Sequence, residues 1–258
     1  MELHKILSVL DEMAPLHYAE DFDNVGLLVG DQNQNITGIL VCHDALEHVI
    51  EEAIAKKCNL VVCFHPILFS GIKKITGKNY VERAILKAIK NDIAIYAVHT
   101  ALDNHHKGVN KIFCDALGLK NTKVLVPKPN FIKKLVTYTI PENATHLRNA
   151  LFEAGAGKIG NYEDCSFNSQ GIGTYMGNEN ANPEIGERFE FVENTEIKIE
   201  ITFEKHLEAK ILKALFTHHV YEEVAYEIYQ LTNKHQNIGL GMVGELPNSL
   251  SETDFLTL

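Results

Sequence analysis

The chain has 258 residues, of which 45% are hydrophobic and 22% are charged. At roughly 150 residues per domain, this length predicts one large or two modest domains, and the composition excludes a disordered or fibrous chain. The 24 lysines and arginines against 34 aspartates and glutamates give a formal net charge of −10. This balance argues against nucleic acid or an acidic membrane surface as the main partner and suits a bound metal cation.

No apolar run approaches the ~20 residues that a membrane span needs, and the N-terminus lacks the unbroken apolar stretch of a signal peptide. We therefore expect a cytoplasmic protein with no membrane partner. The five cysteines are odd in number and include no C-x-x-C motif, so neither a disulfide framework nor a cysteine-rich zinc knuckle is indicated. We expect the cysteines to be reduced.

The first hundred residues alternate between strand-like and helix-like patterns. Apolar runs at 38–42, 60–64 and 93–98 predict buried strands, and the amphipathic stretches between them predict helices. Asp44, with Glu47 three residues later, is a candidate cap for the first of these helices. Near-continuous apolar strands alternating with helices are typical of a parallel sheet covered on both faces, which predicts an α/β fold.

The pattern changes about halfway along the chain. Strand-like and helix-like segments follow there in the order βαββαβ, which fits a ferredoxin-like α+β unit of about a hundred residues. We predict a main domain that begins with 1–128, an inserted domain at 129–235, and a return to the main domain at 236–258. Ser251 has the pattern of a helix start. We expect the chain to stop within an element, as the N-terminal part of a longer protein would.

Histidines and aspartates stand at the carboxyl ends of the predicted parallel strands. His43 and Asp44 end the first strand, His65 ends the second, and His99 ends the third, with Asp103 four residues further on. In an open parallel sheet these strand ends line one edge, where ligands bind. Imidazole nitrogens and carboxylate oxygens together suit Zn, Fe, Mn or Ni. The sequence therefore predicts a metal site at this edge of the sheet.

Ordinary structural explanations remain open for these residues. His65 can simply form a hydrogen bond at a strand end, and Asp103 can cap a turn. Cys42 and Cys63 offer thiolates to zinc, but an inert buried thiol is the commoner case. No complete P-loop and no G-x-S-x-G motif occurs. Further histidines have no assigned role, because exposed loops and helix ends account for them: His105, His106, His218 and His219.

Short segments along the whole chain have the residues of a known family: 19–31 (AEDFDNVGLLVGD), 63–69 (CFHPILF), 99–104 (HTALDN), 155–167 (GAGKIGNYEDCSF), 181–186 (ANPEIG), 219–228 (HVYEEVAYEI) and 241–246 (GMVGEL). They resemble the GTP cyclohydrolase I type 2 family of dinuclear-metal proteins, which assemble as toroidal hexamers. The segments in the second half resemble the long members of that family, which carry an inserted PII-like domain.

The resemblance implies site residues. His65 and Asp103 match metal ligands of the family, and His99 is placed as a catalytic acid–base residue or as one that orients a ligand. Phe64 stands where many members have the first histidine of a pair, and a phenyl ring cannot donate to a metal. The remaining family ligands, a histidine and a glutamate, are expected in a C-terminal segment that begins where this sequence ends.

The resemblance also implies a function and partners. The family name implies a hydrolase that opens the guanine ring of a nucleotide such as GTP and releases formate. Two divalent ions (Zn, Mn or Fe) per full-length subunit and a homohexamer are expected with it. The alternative is a non-enzymatic oligomeric metal-binding or regulatory protein, in which the inserted domain senses or gates a ligand.

Overall fold

The computed structural model describes residues 1–257. The α-helices in this part of the chain are Leu3–Met13 (α1), Glu47–Ala55 (α2), Tyr80–Lys90 (α3), His99–Asp103 (α4), Val109–Ala116 (α5), Pro141–Glu153 (α6), Glu208–His218 (α7) and Glu252–Leu256 (α8). The β-strands are Gly26–Val29 (β1), Ile39–Asp44 (β2), Leu60–His65 (β3), Ala94–Ala97 (β4), Lys120–Lys128 (β5), Ile132–Thr139 (β6), Ser166–Met176 (β7), Phe191–Glu204 (β8), Tyr226–Gln230 (β9) and His235–Glu245 (β10).

The chain forms two compact units. The first contains residues 1–127 and the chain from 237 onward, and the second contains residues 128–236. The first unit is built around a four-stranded sheet with the order β1-β4-β3-β2, and β5 and β10 pair in a separate two-stranded sheet. Among residues 1–257, no helix is both long and apolar enough to cross a membrane.

The four-stranded sheet is mixed. Strands β2, β3 and β4 are parallel, as predicted, but β1 is antiparallel to β4, so the prediction of a purely parallel sheet is wrong at this edge. β1 has only four residues, and its apolar run is too short to be assigned to a strand from the sequence. Gly30 follows β1 with a φ of 119°, and a Cβ there would lie 2.7 Å from the Cβ of Ala94.

Side-chain alternation along the central strands buries both faces of this sheet. Val61 of β3 belongs to one core cluster with Ile50 of α2 and Ile85 of α3. The neighbouring Leu60 belongs to a second cluster with Leu3 of α1. Full burial of each such side chain stabilises the fold by about 1.5–3 kcal/mol. The two clusters therefore hold the strands whose carboxyl ends carry the predicted site residues.

One local prediction at these strand ends is wrong. Asp44 does not cap α2; it is the last residue of β2, and α2 begins at Glu47 with Leu46 at its N-cap. After β4 the chain continues directly into the single-turn helix α4. His99 and Asp103 are four residues apart on this helix, so both lie on the same side of it.

The second unit contains an antiparallel sheet with the order β7-β8-β6-β9. Its elements follow in the predicted chain order βαββαβ, from β6 to β9. Leu147 of α6 and Ile211 of α7 pack in one buried cluster with Leu135 and Ile199 of the sheet. The second unit thus has a hydrophobic core of its own.

The structure confirms the helix start predicted at Ser251. The Ser251 side chain accepts a hydrogen bond from the backbone N–H of Asp254 at 3.2 Å, which caps α8. Serine is favoured at an N-cap because its hydroxyl accepts from a backbone N–H that has no partner within the helix.

Candidate metal centre

Two aspartate–histidine pairs lie at the ends of the parallel strands. His65 Nδ1 donates to Asp44 Oδ1 at 2.8 Å, and His99 Nδ1 donates to Asp23 Oδ1 at 2.9 Å. Because an ionised carboxylate only accepts hydrogen bonds, each Nδ1 carries its proton and each neutral ring keeps a lone pair on Nε2. Carboxylates orient metal-ligating histidines in this way in many metal sites. Both imidazoles are therefore prepared to bind a cation through Nε2.

Strand register creates the first pair. β2 and β3 are parallel and in register from Ile39 opposite Leu60 to Asp44 opposite His65. Asp44 and His65 therefore lie side by side at the carboxyl ends of the two strands. Hydrogen bonds from His65 and then from His43 hold the pKa of Asp44 below its usual value. The Asp44 carboxylate is thus kept ionised at neutral pH.

A buried hydrogen-bond network holds the second pair. The Asp23 side chain is 0% exposed, and its Oδ2 accepts from the backbone N–H of Thr100 at 3.1 Å and from the Thr100 hydroxyl. Burial raises the pKa of Asp23, but the hydrogen bonds from His99 and Thr100 outweigh burial, so the pKa lies below its usual value. His99 itself has a φ of 21°, a backbone conformation that residues with a Cβ rarely adopt. The network therefore fixes both the ring and the backbone of His99.

His43 joins the first pair from the neighbouring position. Its Nδ1 donates to Asp44 Oδ2 at 3.0 Å, and its ring stacks on Phe64 with centroids 5.4 Å apart and planes 13° apart. One ligand atom from each of His43, Asp44 and His65 lies within 4.8 Å of the others, which is close enough for the three to share a metal ion. His99 and Asp103 are not part of this tighter group.

The structure also brings the two pairs together. The rings of His65 and His99 have centroids 5.4 Å apart, and the Phe64 ring contacts His99 edge-on at 5.5 Å. Burial raises the pKa of Asp103 above its usual value. Within residues 1–257, the half-buried Asp103 carboxylate accepts no hydrogen bond. A half-buried carboxylate without a hydrogen-bond partner is well suited to a cation.

The other candidates have structural partners. Burial raises the pKa of the Cys42 thiol to about 11 and that of the Cys63 thiol to about 12, which favours buried thiols over a thiolate zinc site. His105 stacks on Tyr18 with ring centroids 5.6 Å apart. His219 Nε2 donates to the carbonyl oxygen of Tyr138 at 3.0 Å and is held in a structural role.

The whole chain, residues 1–258, matches the family described as Duf34/NIF3 (NGG1p interacting factor 3). The chain belongs to this family. It is 39% identical over 252 residues to a GTP cyclohydrolase 1 type 2 homolog of Bacillus subtilis, covering 97% of this chain and 68% of that protein. A second GTP cyclohydrolase 1 type 2 homolog, from Halalkalibacterium halodurans, is 40% identical over 253 residues, with the same two coverages. These matches confirm the resemblance expected from the sequence motifs.

Solved structures of relatives have the same fold as this DUF34/NIF3 protein. A Bacillus cereus protein related to NIF3 superposes with a TM-score of 0.83 at 38% identity, over 99% of this chain and 68% of that one. Staphylococcus aureus protein SA1388 superposes with a TM-score of 0.74 at 29% identity, over 100% of this chain and 67% of that one.

Proposed function

We propose that this protein holds a divalent metal ion with His65 and Asp103 and hydrolyses a nucleotide such as GTP at that site. One observation carries the proposal: two imidazoles, each with Nδ1 bound to a carboxylate, have ring centroids 5.4 Å apart. Asp103 lies one helical turn after His99 on α4, and its carboxylate accepts no hydrogen bond within residues 1–257. These borderline nitrogen and hard oxygen donors fit Zn, Mn or Fe. The site lies where ligands bind in parallel α/β sheets, at the carboxyl ends of the strands.

The side chains have separate tasks in this proposal. A bound divalent ion would supply a Lewis acid that activates water near neutral pH. Asp44 holds the Nδ1 proton of His65, which leaves Nε2 as the donor that would bind the ion. Asp23 does the same for His99, whose Nε2 accepts or delivers a proton as the guanine ring opens and formate leaves. His43 offers one more nitrogen next to Phe64, which has no donor of its own.

Formate release measures this function. Protein loaded with Zn, Mn or Fe is incubated with GTP, and both formate and bound metal are quantified. We expect release from the wild-type protein and loss of it in His65→Ala and Asp103→Asn. His48→Ala is the matched control, because His48 is exposed and has no partner in the described part of the chain. Metal binding without turnover would refute the hydrolase and leave the non-enzymatic metal-binding role.

We propose the oligomeric state and the inserted domain from the family resemblance. A homohexamer with two metal ions per full-length subunit, and a PII-like inserted domain that senses or gates a ligand, are the arrangements implied. The separate core of the second unit and its βαββαβ order support an independent module. Light scattering on the purified chain tests the hexamer, and a monomer would contradict it. A cytoplasmic location stays a prediction.

A further inference from the structure

A cavity opens beside the metal centre. It has a volume of about 390 Å³ and is bordered on one side by Asp44 and His65. Its other walls are mainly apolar and include Phe69, Ile72 and Tyr80. Phe69 is 52% exposed and Tyr80 is 55% exposed, so both offer ring surface to a ligand. A cavity of this size with aromatic walls suits a flat ring system of moderate size.

A loop with hydrogen bonds at its C-terminal end forms part of the cavity wall. It runs from residue 66 to residue 79, between β3 and α3. The carboxylate of Glu82, a residue only 8% exposed, accepts from the backbone N–H groups of Thr76 at 2.8 Å and Lys78 at 3.0 Å. Asn79 completes a reciprocal pair: its Nδ2 donates to Glu82 Oε1 at 3.1 Å, and its Oδ1 accepts from the Glu82 backbone N–H at 2.8 Å. The end of the loop that includes the lining residue Asn79 is therefore held by hydrogen bonds.

This loop carries three cations without acidic partners. Lys73, Lys74 and Lys78 are exposed, and none of them forms an ion pair within residues 1–257. The cations of the following helix differ, because Arg83 and Lys87 are both paired with acidic side chains of α2. No lysine or arginine lines the cavity itself. Lys73 and Lys74 directly follow the lining residue Ile72, and Lys78 directly precedes the lining residue Asn79. Three unpaired positive charges are thus next to lining residues in a chain whose formal net charge is −10.

We propose that this cavity binds a phosphorylated small molecule with a flat ring. The ring occupies the aromatic cavity towards His65, and the phosphate groups lie at the rim with Lys73, Lys74 and Lys78. The proposal deepens the proposed function, since it rests on the same site and makes the phosphate a recognition element outside the metal centre. Lysine is suited to this task because it binds phosphate as a mobile point charge.

Calorimetric titration of the metal-loaded protein with GTP and with guanosine tests the lysines. We expect GTP to bind roughly tenfold more tightly, as three exposed charge pairs would provide. In the variant Lys73→Gln/Lys74→Gln/Lys78→Gln this advantage should fall to about twofold or less, while the affinity for guanosine stays unchanged. The matched control is Lys107→Gln/Lys120→Gln/Lys123→Gln, which removes the same charge from exposed positions that do not line the cavity.

Two results would overturn the proposal. If GTP still binds roughly tenfold more tightly than guanosine in the Lys73→Gln/Lys74→Gln/Lys78→Gln variant, these lysines do not bind the phosphate groups. If the control variant loses the same affinity for GTP, the effect is only one of overall charge. Tyr80→Ala tests the cavity separately: it should weaken guanosine and GTP by the same factor, and no change would exclude the cavity as the ring site. Because these titrations measure binding, absence of formate release would refute the hydrolase and leave this proposal standing.

Discussion

Replacement of Asp23 tests the structural basis of the site. The Asp23→Ala variant removes the acceptor of the Thr100 backbone N–H and hydroxyl and of His99 Nδ1. Thr100 is only 7% exposed, so water reaches its orphaned donors poorly. At about 1–3 kcal/mol for each buried donor left unpaired, the two Thr100 groups alone predict a loss of roughly 2–6 kcal/mol. This is a large part of the ~5–15 kcal/mol by which a domain is stable.

Urea unfolding of matched variants measures this loss. Asp23→Asn keeps the shape but presents an amide N–H to one of the donors, so we expect an intermediate loss of about 1–3 kcal/mol. Asp21→Ala is the control, because Asp21 is exposed and its loss should change stability by less than about 0.5 kcal/mol. If Asp23→Ala unfolds at the same urea concentration as Asp21→Ala, the buried network contributes nothing and the reasoning is refuted.

The same residue predicts a pH dependence. The pKa of Asp23 in the folded protein lies below its ordinary value of 3.8. Its ionised form is therefore favoured by folding, so the stability that it contributes is present above pH 3.8 and is lost as the pH falls through the lower, folded-state pKa. The difference in stability between wild type and Asp23→Asn should shrink across this acidic window. A difference that grows on acidification would contradict the assignment.

Three further changes have expected outcomes. Asp44→Asn should reduce metal affinity about 10–100-fold, because His65 loses the carboxylate that fixes its tautomer; unchanged affinity by calorimetry would exclude that role. Cys63→Ala should keep the bound metal measured by atomic emission, and loss of metal would favour the thiolate site instead. Gly30→Ala should lower the unfolding free energy by about 1–3 kcal/mol in urea, because its Cβ would press on Ala94 at a positive φ; a neutral result would refute the close approach.

The sequence predicts those parts of the fold that local pattern determines. The apolar runs around Val61 and Ile95 mark buried strands because both faces of the sheet are covered, so no polar alternation interrupts them. β1 is not predicted, because three apolar residues between two glycines do not establish a period. Its pairing with β4 depends on close backbone approach at Gly30, which is a tertiary property.

The histidines of the candidate site can be predicted from the local sequence pattern, but their carboxylate partners cannot. His65 and His99 stand out because they end apolar strands, and parallel topology places strand ends together. Their carboxylate partners are not predicted: Asp23 is 76 residues from His99 in the chain, and Asp44 has the local pattern of a helix cap. Asp44 lies next to His65 because β2 and β3 pair in this register, and the sequence does not reveal the register.

Anomalous diffraction from crystals of this chain soaked in Zn²⁺ or Mn²⁺ tests the central claim most directly. We predict an anomalous peak about 2.0–2.2 Å from both His65 Nε2 and a carboxylate oxygen of Asp103. A peak bound by His43 and Asp44 without Asp103, or no peak near His65 at saturating metal, would contradict the convergence of these two side chains on one ion.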